Sequence, residues 1–255
     1  MTYRECYEQG CRTLQAAGIE EAILDARLLL EAVCGTDRND LLVHGEQPVM
    51  PQAEEKYLNW IRQRAEHIPL QQLTGEQDFM GLTFSVNEHV LIPRQDTEIL
   101  VEEVLKELHD RMRILDMCTG SGCILLSLLH YSNDCEGLGV DLSAEALEVA
   151  GRNVLKVLTP EKAEHAHFLQ SDLFEKVEGK FEIIVSNPPY IASAKVDKLM
   201  PEVRDHEPRM ALDGTEDGLH FYRRIIKEAG KHLVNSGMLF FEIGYDQGQA
   251  VSELM

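Results

Sequence analysis

The stretch Arg113-Ile114-Leu115-Asp116-Met117-Cys118-Thr119-Gly120-Ser121-Gly122, followed by the apolar run from Cys123 to Leu129, reads as strand, glycine turn and helix. Such a turn lets a ligand approach the backbone closely at a helix N-terminus. A dinucleotide fingerprint requires G-x-G-x-x-G, which Cys118, Gly120 and Gly122 do not supply, so a nicotinamide site is a poor match. A second strand, Gly137-Leu138-Gly139-Val140, ends in Asp141, nineteen positions beyond Gly122, where a carboxylate can take both hydroxyls of a ribose. A third, His167-Phe168-Leu169-Gln170, ends in Ser171-Asp172, and Asp172 can accept from an adenine amino group. Taken singly, a strand-end Asp is more often a helix cap, and a residue such as Asp172 more often a solvated turn carboxylate. Three acidic strand ends and a glycine turn, in this order, together describe an adenosine pocket along the carboxyl edge of a parallel sheet. From Arg113 onward strands alternate with helices, the pattern of a parallel sheet with crossovers on both faces.

A further apolar run, Phe181-Glu182-Ile183-Ile184-Val185, leads into Asn187-Pro188-Pro189-Tyr190. This motif offers acceptors and an aromatic face but no acid, base or nucleophile. That combination suits methylation of a planar NH2 group, whose lone pair is delocalised and must be held before it attacks. The Asn187 side-chain oxygen and the Pro188 carbonyl can accept both N–H bonds, Pro189 stiffens the turn, and Tyr190 can pack on the planar group. The plain alternative is a strand followed by an Asn-Pro turn.

Asp116 to Gly122, Asp141, Asp172 and Asn187 to Tyr190 resemble the successive motifs of class I S-adenosylmethionine-dependent methyltransferases that modify planar nitrogens. Within that group, Leu91-Ile92-Pro93-Arg94-Gln95-Asp96-Thr97-Glu98 is similar to the linker signature of the HemK/PrmC family, which methylates the glutamine of peptide chain release factors. Glu202-Val203-Arg204-Asp205-His206-Glu207-Pro208, with Ala211-Leu212 and Asp217-Gly218-Leu219, looks like that family's substrate-side loop. The resemblance covers nearly the whole chain. It implies a Rossmann-like α/β sheet with helices on both faces, preceded by a small helical bundle and a linking β-hairpin. It further implies S-adenosyl-L-methionine as cofactor and S-adenosyl-L-homocysteine as product. Asp116, Cys118, Thr119, Gly120, Gly122, Asp141, Asp172 and Asn187 would hold the cofactor; Asn187, Pro188, Pro189, Tyr190 and Glu207 would meet the substrate. Ribosomal-protein glutamine methyltransferases share the Asn-Pro-Pro-Tyr core but tend to differ after the Pro-Arg of the linker, so Asp96-Thr97-Glu98 favours the release-factor branch. Arg94 and Glu98 would either close over the cofactor or form the domain junction. The chain departs from the family at Cys118, where Gly is usual, and after Gly244, where members of the fold continue with two more strands.

The 255 residues, 44% of them hydrophobic, allow one sizeable core and a small extra domain. The expected division is a helical bundle over residues 1–75 that contacts the substrate protein, a hairpin linker over 76–95, and the methyltransferase domain over 96–255. In the bundle, Tyr3 to Leu14, Ile23 to Val33 and Tyr57 to Ala65 repeat apolar residues at helical spacing, with a shorter helix near Asn39 to Val43. Phe84-Ser85-Val86 and Val90-Leu91-Ile92 flank Asn87-Glu88-His89 and read as the hairpin. Asp96 or Thr97 is expected to cap the next helix, with Ile99, Leu100, Val104 and Leu108 facing inward, and Ser143 to cap another. No apolar stretch is long enough to span a membrane, and the first residues lack the apolar segment of a signal peptide, so the cytoplasm is expected. Six scattered cysteines without C-x-x-C pairs read as free thiols, with no metal site. A formal charge of −20 repels a bare phosphate backbone, which disfavours the runner-up function, a nucleic-acid amino methyltransferase. A non-catalytic cofactor-binding module is the answer of a different class.

Overall fold

A computed structural model describes residues 1–255, which divide into two compact units. The first comprises Met1–Gly75 and Pro201–His206, the second Glu76–Met200 and Glu207–Met255.

In the first unit, helices α1 (Tyr3–Ala16), α2 (Ala22–Cys34), α3 (Arg38–Val43) and α4 (Pro51–Ala65) lie where helices are expected, and α5 (Leu70–Thr74) is one the sequence reading does not include. Thr2 caps α1 through a reciprocal box with Glu5, and Gly35, in the left-handed region at φ 63°, ends α2. Cys6, Leu14, Leu29, Leu30, Tyr57 and Ile61 form its core. The buried Arg64 donates to Asp25 at 2.7 Å and to Glu202 of the Pro201–His206 helix at 3.0 Å.

The second unit opens with a true hairpin, but one strand earlier than the sequence suggests. Strands β1 (Glu76–Phe79) and β2 (Leu82–Ser85) pair antiparallel around Met80-Gly81, and the stretch from Asn87 to Ile92 is irregular. Both turn residues have positive φ, 53° and 71°, as a two-residue type I′ turn demands. Methionine is an unusual occupant of that position, so the turn carried little sequence signal. Glu98 supports it by accepting from the Met80 N–H at 2.8 Å.

Next come α6 (Asp96–Glu107), β3 (Arg113–Met117), α7 (Cys123–Tyr131), β4 (Glu136–Asp141), α8 (Ala144–Val157), α9 (Pro160–Ala163), β5 (Ala166–Gln170) and β6 (Phe181–Ser186). The chain continues through α10 (Ser193–Val196), α11 (Pro201–His206, within the first unit), α12 (Arg209–Leu212), α13 (His220–His232), β7 (Leu233–Phe241) and α14 (Gly248–Leu254). Neither Asp96 nor Thr97 caps α6: Gln95 holds the cap position without a side-chain bond, and Thr97 is buried inside the first turn. Ile99 is 61% exposed, and Val101 fills the core position instead, beside Leu100 and Val104. Ser143 does cap α8, accepting from Ala146 at 3.0 Å.

The five-stranded sheet has the order β5-β4-β3-β6-β7, all pairs parallel, so the chain reverses direction across the sheet between β3 and β6. Alternate strand residues pack oppositely, as a period of two requires. Ile114, Ile183 and Val185 meet α6, α7 and α8, while Leu115, Met117, Val140 and Ile184 meet α13 and the Leu173–Val177 turn. The carboxyl ends of β3, β4 and β6 are thereby brought side by side, where open α/β sheets bind their ligands. No helix is long and apolar enough to cross a membrane.

Candidate active site

A cavity opens at this edge, lined by Cys118, Thr119, Gly120 and Ser121 from the glycine turn, Asp141 after β4, Asp172 after β5, and Asn187 and Pro189 after β6. Val90, Leu91, Met117, Val140, Leu142, Leu173 and Phe221 give it largely apolar walls, and Arg94 and Pro208 stand at its rim. Gly120 is left-handed at φ 55°, and a Cβ built there meets no atom within 4 Å. The backbone is therefore bare toward open space, as close approach by a ligand needs.

Asp141 is held by two main-chain donors: Gly120 N–H reaches Oδ2 at 2.9 Å and Ser143 N–H reaches Oδ1 at 3.0 Å. Burial raises its pKa, and these N–H bonds pull it part-way back. The carboxylate is thus oriented from behind and retains lone pairs for hydroxyl donors. Asp172 keeps one oxygen for a ligand, because Oδ1 pairs with Arg224 at 2.9 Å. An apolar slot with carboxylates at strand ends and a bare glycine between them fits the ribose and adenine of an adenosyl cofactor.

Not every expected residue lines the cavity. Asp116 is fully buried beneath it, accepting from the Thr119 hydroxyl at 2.6 Å, and burial pushes its pKa up to about 7. Its place is under the turn, which it steadies through Thr119. Gly122, at φ 79°, forms the start of α7 behind the wall, and Pro188, buried like Pro189, is not among the cavity-lining residues. Tyr190 turns away from the cavity, its hydroxyl 3.4 Å from Glu242 Oε1. Glu207 is set back from the rim, its side chain 1% exposed and ion-paired to Arg94 at 2.6 Å. Arg94 lines the cavity as well, so it serves both rim and ion pair.

The PrmC N-terminal domain profile matches residues 5–75, and the methyltransferase small domain profile residues 94–203. A release factor glutamine methyltransferase of Agrobacterium fabrum is 41% identical over 249 residues, spanning 95% of this chain and 85% of the relative. The chain belongs to the release factor glutamine methyltransferase family. Its counterpart in Moorella thermoacetica is 43% identical over 257 residues, spanning 100% of this chain and 89% of the relative. That of Clostridium acetobutylicum is 41% identical over 259 residues, spanning 100% and 90%.

Three residues at or behind the site were given no site role in the sequence reading. Asn153, fully buried on α8, accepts from Ser85 N–H at 2.7 Å and donates to the carbonyls of Ser85 at 3.0 Å and Ser121 at 2.9 Å, bolting the hairpin to the glycine turn. Its signal was present: a polar residue among Ala146, Val149, Ala150, Val154 and Val157 on the apolar face of a helix. Thr97 read as a helix cap and is instead a cavity residue, 2% exposed. Glu242 follows the apolar end of β7 with no motif around it.

Proposed function

We propose that this protein transfers a methyl group from S-adenosyl-L-methionine to the side-chain amide nitrogen of the glutamine in the Gly-Gly-Gln loop of peptide chain release factors. The observation that carries this reading is that Asn187 lines the same cavity as Cys118, Thr119, Gly120 and Asp141, so an amide held by Asn187 would lie beside the cofactor slot. The bound cofactor supplies an electrophilic methyl group on a sulfonium. Asp141 and the bare backbone at Gly120 would hold its ribose end, and Asp172 its adenine amino group. Asn187 Oδ1 would accept one N–H of the glutamine and the Pro188 carbonyl the other, turning the nitrogen lone pair toward the cavity. These oxygen dipoles are fixed before the reaction, and they stabilise the positive charge that grows on the nitrogen. The turn presents no base, and none is needed, because a protonated amide is strongly acidic and sheds its proton to solvent. Tyr190 and Glu207 would support the amide slot from behind.

The Met1–Gly75 bundle would add contacts to the release factor, so that most of the substrate's binding energy lies outside the reacting amide. The charge of −20 favours a basic protein surface over a phosphate backbone, and neither nucleic acid nor membrane is assigned as a partner. The cytoplasm, where release factors work, is the assigned compartment. The deciding experiment incubates the protein with labelled S-adenosyl-L-methionine and purified release factor, then maps the modified residue by mass. Label on the loop glutamine is the expected result. Robust methylation of duplex DNA with none on release factor would sink the reading.

A further inference from the structure

Behind the amide corner a polar cluster centres on Glu242, which the cavity lining does not include. The Glu242 N–H donates to the Ser186 carbonyl at 3.0 Å, one residue before Asn187, and the Glu242 carbonyl accepts from the buried Tyr222 hydroxyl at 2.9 Å. Its backbone is pinned on two sides. The side chain reaches Tyr190, whose hydroxyl lies 3.4 Å from Oε1, while Oε2 is shut off from water and has no hydrogen-bond partner. Burial raises the Glu242 pKa, and Thr97, Tyr190 and Asn187 stand near enough to pull it part-way back. Thr97 Oγ1 in turn lies 3.4 Å from Asn187 Nδ2. Thr97 and Asn187 line the cavity, and Glu242 stands behind them, outside its lining.

Donor and acceptor capacities set the direction of this cluster. A carboxylate only accepts, and the Thr97 hydroxyl has a single proton. Turned toward the unpartnered Glu242 Oε2, that proton would leave Thr97 lone pairs for Asn187, whose Nδ2 lies 3.4 Å from Oγ1. The Asn187 oxygen is then left for the cavity. Reversing the order would put two acceptors face to face in a poorly hydrated corner, where an unmade hydrogen bond is expensive. We infer that Glu242 is a positioning residue that, through Thr97, turns the Asn187 side-chain oxygen toward the substrate amide and braces Tyr190 behind it. This deepens the proposed function and rests on it for the identity of the amide.

The test has a spectroscopic arm and a kinetic arm, both on the full chain. The Asn187 side-chain NH2 resonances are identified by their loss in Asn187→Ala; in the parent they should exchange with water at least about tenfold more slowly than those of exposed asparagines, as a buried donor bound on one side requires. Glu242→Gln has nearly the same shape but carries a donor that competes for Thr97 and frees Asn187 to turn over. It should speed that exchange about tenfold and slow single-turnover methylation of release factor about tenfold, with cofactor Kd and release-factor KM within about twofold of the parent. Thr97→Ser, which keeps the hydroxyl, should run about tenfold faster than Thr97→Val. A merely structural glutamate would lower the melting temperature without this split between rate and binding. A Glu242→Gln rate within about twofold of the parent overturns the inference. So does a parent Asn187 NH2 that exchanges as fast as an exposed one, a result that decides the matter whether or not the Glu242 and Thr97 variants fold. A parent that methylates no release factor sinks the proposed function instead, and the exchange measurement still reads the Asn187 orientation.

Discussion

Cys118 carries a side chain where the backbone favours glycine. Its φ of 64° lies in the left-handed region, which costs a residue with a Cβ about 1–2 kcal/mol. Cys118→Gly relieves that strain but gives the unfolded chain more freedom, a penalty of roughly 0.5–1 kcal/mol, so a small net gain in stability of up to about 1 kcal/mol is expected by calorimetry. Cofactor affinity should be equal or higher, since the thiol narrows the cavity; clearly weaker binding would show that the sulfur packs against the ligand. Asn187 tests the chemistry. Asn187→Ala should slow the chemical step by roughly 2–4 kcal/mol in single-turnover kinetics while leaving cofactor affinity near normal, because a positioned dipole is lost and no binding group for the cofactor's adenosine is touched. Asn187→Asp should not restore the rate: it sets a second acceptor-only group near Thr97 and the buried Glu242. A fully active Asn187→Ala would remove the residue from the mechanism. Asp141, Asp172 and Asn187, which line the cavity, were readable in the sequence because each follows its own strand run. Glu242 was not, because its meaning depends on which strand lies next to β6, and no local pattern encodes that neighbour.

Among the elements, β3, β4 and β5 were legible from their strand runs and acidic ends, β6 from its apolar run into Asn187, and α1, α2 and α4 from their periodicity. The hairpin was misplaced because Met80-Gly81 lacks the usual Asn-Gly or Asp-Gly signal, while Asn87-Glu88-His89 between two β-branched runs imitates one. Thr97 was misread for a related reason: Ser, Thr and Asp near a helix start suggest a cap, and only tertiary packing buried this one. The join between hairpin and glycine turn depends on Asn153, whose amide serves Ser85 N–H, Ser85 carbonyl and Ser121 carbonyl together. Asn153→Leu keeps the branching of the side chain at slightly greater bulk but leaves these main-chain groups unpaired in a dry place. A loss of about 2–4 kcal/mol in unfolding free energy is expected, at roughly 1 kcal/mol or more for each orphaned group. Because Ser121 belongs to the cavity wall, cofactor binding should weaken as well. Denaturant titration with and without cofactor checks both, and an Asn153→Leu protein as stable as the parent would show that water satisfies these groups.

At the scale of the whole molecule, two kinds of charge act on stability in the same direction. The surface carries a formal charge of −20, whose self-repulsion opposes the compact state. The interior holds carboxyls whose pKa burial has raised, Asp116 to about 7 and Asp141, Glu207 and Glu242 in the same sense. For Asp116 the folded value lies above the ordinary 3.8, so its contribution to stability is fully present below 3.8 and is lost as pH rises through about 7. Asp217 behaves oppositely: Arg223 depresses it to about 2, so its contribution is lost only as pH falls toward that value, well outside the neutral range. Between about pH 6 and 8, then, the cofactor-free protein should lose roughly 1.4 kcal/mol through Asp116 alone, a fall in melting temperature of about 3–6 °C. Salt separates the two causes. Surface repulsion is screened within about 10 Å at 0.1 M salt and within a few Å at about 1 M, whereas a proton bound to a carboxyl sealed under α7 is insensitive to it. The expected result is a pH dependence that shrinks with added salt to a residual slope, and that residual should vanish in Asp116→Asn whatever the variant does to the midpoint itself. A residual slope that persists in Asp116→Asn would assign the titration to Asp141, Glu207 or Glu242. Complete loss of the slope in salt, with Asp116 intact, would place all of the effect on the surface.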